Sequence, residues 1–153
     1  MRAAVLHGVG DLRVQETVKP VPGPQEVLIK VSACGICSSD IARVMKNVTY
    51  HFPTIPGHEY AGKDESGKLF AVYPLLPCYQ CEQCRRQQYQ GCTNYDYTGS
   101  RCDGGFADYV KVPRGNLIPV PAGISAQEAA MTEPAAVGMH AAQKAAIKQG
   151  QTV

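Results

Sequence analysis

Four cysteines, Cys78, Cys81, Cys84 and Cys92, share one short polar segment with the spacing C-x2-C-x2-C-x7-C. Thiolates this close in sequence can wrap one Zn2+ tetrahedrally, at about 2.3 Å per Zn–S bond, with little strain on the loop. Four protein ligands leave no open position, so such an ion is structural and any chemistry lies elsewhere. Two other places hold suitable residue types. Cys37 lies ahead of a helix start at Ser38-Ser39-Asp40, where backbone N–H groups and the helix dipole favour a thiolate. His58-Glu59 follows Pro56-Gly57 at the start of a strand-like run. A cysteine, a histidine and carboxylates converging from different loops make an open zinc site, with one position left for water or a substrate oxygen. Taken singly, each residue is ordinary: such a cysteine is commonly a small buried hydrophobe, and such a histidine a polar turn.

Other readings of the cysteines fit less well. The count of 7 is odd, Met1–Leu6 is too short to be a signal-peptide core, and no apolar stretch is long enough to span a membrane. A reducing, cytoplasmic setting is therefore expected, with no membrane partner. A ferredoxin-type cluster would continue to Cys-Pro after three residues, whereas here seven intervene and Thr93 follows Cys92. The net charge of +2 and the single basic doublet, Arg85-Arg86, give no footprint for nucleic acid.

The elements that must position these residues are mostly strands. With 15 Gly, 11 Pro and no Trp in 153 residues, many turns and short strands are expected. Met1–His7 and Asp11–Val18 form a hairpin about Gly8-Val9-Gly10, and the Pro-rich Lys19–Pro24 is an extended connection. Glu26–Ala33 alternates as a strand does, and a short helix runs to Met45. Tyr60–Gly62 and Leu69–Tyr73 are strands bridged by a polar turn at Lys63–Lys68. Gly105–Val112 and Asn116–Val120 follow as further strands. From Ser125 the chain turns Ala-rich, and Thr132-Glu133-Pro134 places a cap and a proline in the first turn of a helix running towards Gln149. The fold class is thus mainly β, a barrel-like core with peripheral helices.

Five motifs in order, Gly35–Asp40, Gly57–Gly62, the cysteine lobe, Asp103–Tyr109 and Glu133-Pro134 with Gly138–Ala141, resemble the zinc-dependent medium-chain alcohol and polyol dehydrogenases. Pro74–Cys78 with Tyr95–Arg101 is most similar to the branch of galactitol-1-phosphate 5-dehydrogenases and sorbitol dehydrogenase-like enzymes. The resemblance implies that residues 1–153 form a GroES-like β-barrel catalytic domain carrying a structural zinc lobe at 78–92. It implies a second, catalytic zinc held by Cys37 and His58, with Glu59 alternating or adjacent and Glu133 in the place that a cysteine fills in classical alcohol dehydrogenases. Ser39 then relays the alcohol proton and Asp40 orients the zinc histidine. The implied activity is oxidation of a secondary alcohol of a polyol or polyol phosphate, with hydride passing to NAD or NADP, in a homo-oligomer.

Two departures accompany it. No G-x-G-x-x-G nucleotide fingerprint occurs, so the Rossmann coenzyme domain is absent from these residues and activity of this polypeptide alone is not expected. The Ala-rich segment 125–149 would pack on that domain, and its exposed face is expected to drive self-association. The turn Lys63–Lys68 is also shorter than the family's usual stretch. A non-catalytic, zinc-stabilised binding module on the same barrel stays open as the alternative. Cys34 and Cys37 spell C-x-x-C, but lie in no thioredoxin-like context. Cys102 is an unassigned thiol, His51 a solvated loop residue rather than part of a proton path, and His7 and His140 are structural. Arg101 and Lys46 are the cations that could meet a phosphate.

Overall fold

The computed structural model describes residues 1–46 and 48–152. β1 (Arg2–Gly8) and β2 (Asp11–Glu16) form the expected antiparallel hairpin, turned at Gly10 with φ 75°, a left-handed conformation that glycine adopts without Cβ strain. The main sheet is antiparallel and five-stranded, in the order β8-β3-β4-β5-β9: β3 is Glu26–Cys34, β4 Tyr60–Lys63, β5 Leu69–Val72, β8 Tyr109–Pro113 and β9 Leu117–Pro119. Alternation along β3 turns Val27 and Ile29 inward, where they pack with Tyr60, Phe70, Val72, Val110 and Val112. Ile29 and Val112 are fully buried, so truncating either to alanine should cost about 2–4 kcal/mol.

Three elements frame the functional region. α1 (Ser38–Met45) leaves the end of β3 after a short loop. Its N-cap is Cys37, whose N–H donates to the Asp40 carboxylate at 3.1 Å. A two-residue ladder pairs β6 (Leu75–Leu76) with β7 (Asp96–Tyr97) and closes the base of the cysteine lobe, which carries the single turn α2 (Glu82–Arg85). The Ala-rich segment holds a short helix, α3 (Ala126–Ala130), and then α4 (Thr132–Lys144), which starts at the expected Thr132-Glu133-Pro134 turn but stops short of Gln149. Pro134 has no N–H to give the Ala130 carbonyl, so one continuous helix would lose that bond and clash there. Ser125 and Glu128 form a capping box at the start of α3, whose Ala129 and Ala130 pack on Ala61 of the sheet.

The strand expected over Gly105–Val112 begins only at Tyr109. The N–H groups of Gly104, Gly105 and Phe106 instead bond the carbonyls of Ile55, Gly57 and Pro56, lacing this segment to the loop that carries His58. Mostly β with few helices, the architecture agrees with the expected class. Among the described residues no helix is long and apolar enough to cross a membrane.

Candidate metal centres and the adjoining groove

The lobe brings Cys78, Cys81, Cys84 and Cys92 together with all four sulfurs within 4.8 Å of one another. Sulfurs on a tetrahedron of 2.3 Å Zn–S bonds lie about 3.8 Å apart. The Cys78–Cys92, Cys81–Cys92 and Cys78–Cys84 separations are 3.5, 3.9 and 4.0 Å, so the donor set fits zinc in both chemistry and spacing. Backbone N–H groups already point at the sulfurs, that of Cys78 at Cys92 Sγ (3.3 Å) and that of Cys81 at Cys78 Sγ (3.4 Å). N–H groups of Thr93 and Cys84 lower the Cys81 thiol to about 6, while burial and the sulfurs of Cys81 and Cys92 push Cys84 up to about 12. Four crowded thiols cannot all ionise without a cation between them.

The second centre is assembled over distance. Gly57, at φ 95°, turns the chain so that His58 and Glu59 enter the interior at the head of β4, and a Cβ there would meet Phe106 at 2.6 Å and Cys34 Sγ at 2.9 Å. The Gly35 N–H bonds the Glu59 carbonyl at 2.7 Å, fixing the β3–α1 loop against that turn. Ligand atoms of Cys37, His58 and Glu59 thereby lie within 4.8 Å of one another, with His58 and Glu59 buried. Asp40, 1% exposed, ties the group together. Its Oδ2 accepts from the Cys37 N–H, and its Oδ1 accepts from the Gly57 N–H at 3.4 Å and from Arg43 Nη1 at 3.2 Å. Oδ1 also lies 3.5 Å from His58 Nδ1, an ion-pair distance at which Nδ1 makes no hydrogen bond. Burial would drive the His58 imidazole down, but Asp40, Cys37 and Glu133 together leave it above its ordinary value. Burial likewise opposes ionisation of Asp40, and His58, the Cys37 N–H and Arg43 overcome it, holding the carboxyl low.

Glu133, in the first turn of α4, stands at the edge of this cluster and is not among the ligand atoms that share the 4.8 Å radius. Its carboxyl is raised by burial and by Glu59, against the pull of His58 and Tyr97. A carboxylate facing further carboxylates beside a cysteine and a histidine is a donor set that a divalent cation would neutralise. Glu133 and Tyr97 also line a groove of about 800 Å3 between the β5–β6 region and α4. The Tyr97 ring lies 5.7 Å from that of His58, and burial beside Glu133 raises its phenol above the ordinary range.

Ser39 is half-buried, and its Oγ accepts from Arg43 Nη1 at 2.9 Å. Arg43 could have been read from helical spacing, being three and four residues beyond Asp40 and Ser39. Tyr97 could not, because the two-residue strand that places it carries no pattern. His51 is the exposed loop residue expected, and it also clasps the loop: Nδ1 faces the Pro53 carbonyl and Nε2 the Arg101 carbonyl, each at 3.1 Å. Cys34 and Cys102 are both pushed up to about 12 by burial, next by Asp40 for Cys34 and by Asp96 for Cys102, which disfavours a redox thiolate at either. His7 bonds Gln15 across the hairpin at 2.8 Å, His140 lines the groove from the exposed side of α4, and Lys46 is exposed at the end of α1.

Residues 23–122 match the family described as "Alcohol dehydrogenase GroES-like domain". Galactitol 1-phosphate 5-dehydrogenase of Escherichia coli (strain K12) is 37% identical over 152 residues, covering 92% of this chain and 44% of that protein. Sorbitol dehydrogenase of Bacillus subtilis (strain 168) is 33% identical over 168 residues, covering 100% and 48%. A crystal structure of galactitol-1-phosphate dehydrogenase from Escherichia coli superposes with a TM-score of 0.90 at 36% identity, over 95% of this chain and 45% of that one. The chain spans about half the length of the curated relatives it matches. The fold, the motif order and the matched span agree, and the chain belongs to the GroES-like domain family of zinc-dependent alcohol and polyol dehydrogenases.

Proposed function

We propose that this chain is the metal-binding half of an oxidoreductase that oxidises a secondary alcohol of a polyol or polyol phosphate to a ketone, with NAD or NADP as hydride acceptor. The observation that carries the reading is the convergence of Cys37, His58 and Glu59 beside a groove lined by Glu133 and Tyr97. Cys37, His58 and Glu133 would hold the catalytic zinc, with Glu59 alternating or adjacent, and the lobe would hold a second, structural ion. Zinc bound there would supply Lewis acidity, lowering the pKa of a substrate hydroxyl. The chain's own residues supply the rest. Asp40 faces His58 Nδ1 and so leaves the other ring nitrogen for the metal. Arg43 occupies a lone pair on Ser39 Oγ and so aims the serine's own O–H away from the arginine. Ser39 can then take a proton from the alcohol and pass its own on, a role Arg43 cannot share because a guanidinium does not accept.

The exposed faces of α4, where Val137 and Met139 are 59% and 63% accessible, are the surface we assign to the coenzyme domain. The test joins this chain to the coenzyme domain of a family relative and assays hexitols and hexitol phosphates with NAD and NADP. Turnover that disappears in Cys37→Ser and in Ser39→Ala is expected. A folded, zinc-loaded fusion that binds coenzyme but oxidises none of these substrates contradicts the reading and favours a non-catalytic binding module.

A further inference from the structure

Four residues beyond Tyr97, one cation is held firmly by tyrosines and meets no carboxylate. The Arg101 guanidinium carbon lies 4.2 Å from the ring centroid of Tyr50 and 4.4 Å from that of Tyr95. Both are within the range of cation–π attraction, which fixes a charged head without neutralising it. The backbone is pinned as well: the Arg101 N–H donates to the Tyr97 carbonyl at 2.9 Å, and the Arg101 carbonyl faces His51 Nε2 at 3.1 Å. Arg101 Nε is buried without a hydrogen-bond partner, and among the described residues no carboxylate comes within 4.0 Å of this side chain. The other half-buried arginine of the region, Arg43, is ion-paired with Asp40. Tyr95, against which Arg101 is stacked, lines the groove together with Tyr97 and, on α4, Glu133. The charge therefore sits one aromatic ring outside a groove whose Tyr97 ring lies 5.7 Å from that of His58.

We infer that Arg101 is the specificity-determining residue of an oxyanion subsite, reading a terminal phosphomonoester or carboxylate on the substrate. This rests on the polyol-dehydrogenase reading above and adds the substrate's charge to it. A guanidinium offers paired N–H donors to two oxygens of one anion, a geometry that suits both groups, and the flanking tyrosines set its position before the ligand arrives. A substrate with its reacting hydroxyl at the metal cluster and its anion on Arg101 would lie along the Tyr95–Tyr97 wall.

Isothermal titration of the zinc-loaded chain with a hexitol, the corresponding hexitol 1-phosphate and the corresponding hexonate tests this. The unmodified chain should bind at least one of the two anions about tenfold or more tighter than the neutral hexitol. Which anion gains more identifies the natural terminus. Arg101→Gln should erase the preference and leave hexitol binding unchanged, while Arg101→Lys should retain only part of it. Tyr95→Leu, which keeps the charge but loosens it, should weaken anion binding more than hexitol binding. Equal binding of all three ligands by the unmodified chain, or an anion preference that survives Arg101→Gln, overturns the inference. Loss of zinc at Cys37 and His58 in the unmodified chain would instead sink the dehydrogenase reading, so the two failures are distinguishable.

Discussion

The two metal-capable clusters are built on opposite principles. In the lobe, four ligands of one chemical type fall between positions 78 and 92, and a single helical turn with a few N–H···S bonds preorganises them. In the second cluster, unlike ligands come from the β3–α1 loop and the head of β4, with Glu133 contributed at its edge by α4. Only the folded sheet brings these together, and Asp40 is the clamp. Local, uniform and closed suits a staple; dispersed, mixed and open suits a reacting centre. The stapled lobe should therefore depend on its metal for shape, whereas the dispersed centre should keep its shape and lose only its metal.

The largest expected effect breaks the lobe. Apparent zinc-binding free energies in small folded metal sites reach about 10 kcal/mol, so Cys81→Ser should cost one zinc equivalent and collapse residues 78–92, leaving the five-stranded sheet intact. Amide NMR would show loss of dispersion confined to the lobe; loss throughout the chain would erase the contrast. Next in size, His58→Ala should remove the other zinc while lobe resonances stay in place and the melting temperature moves little. Global unfolding of this variant would mean that the dispersed centre is also a staple.

Asp40→Asn sharpens the comparison. Zinc affinity at the dispersed centre should fall about 10–100-fold, with no change at the lobe, as read by competition with a chelator. The metal-free chain should carry a pH signature of the same contact. Asp40 is depressed, so its contribution is present above the ordinary carboxyl pKa of about 4 and is lost as pH falls through the lower folded value. His58 is raised, so its contribution is complete below the ordinary imidazole pKa of about 6.5 and is lost as pH rises through the higher folded value. Thermal melts should show this extra stability between about pH 4 and pH 6.5, and Asp40→Asn should flatten the profile. The smallest effect lies away from both centres. Ser125→Ala removes the α3 cap and should cost about 1 kcal/mol in chemical denaturation without changing zinc content.

The same contrast governs what the sequence disclosed. The lobe was legible because its four ligands and their spacing are one contiguous signal. The alternation of Val27 and Ile29 likewise marked β3, and the Ala-rich tail marked a helical region. Boundaries set by long-range bonding were not legible: the strand expected from Gly105 starts at Tyr109 because the preceding N–H groups are taken by Ile55, Pro56 and Gly57. Pro134 announced a first turn, yet only the observed break shows that it divides two helices. Cys37, His58, Glu59 and Glu133 emerged as a set through resemblance, since nothing local links a cysteine at 37 to a glutamate at 133. Tyr97 and the pinning of Arg101 escaped because a two-residue strand and a cation between two tyrosines have no sequence period.

Diffraction from zinc-loaded crystals on both sides of the zinc absorption edge tests the central claim most directly. The expected result is two anomalous peaks per chain, one inside the sulfurs of Cys78, Cys81, Cys84 and Cys92 and one among Cys37, His58 and the carboxylate of Glu59 or Glu133. A single peak in the lobe, with the dispersed residues well ordered around no metal, would contradict it.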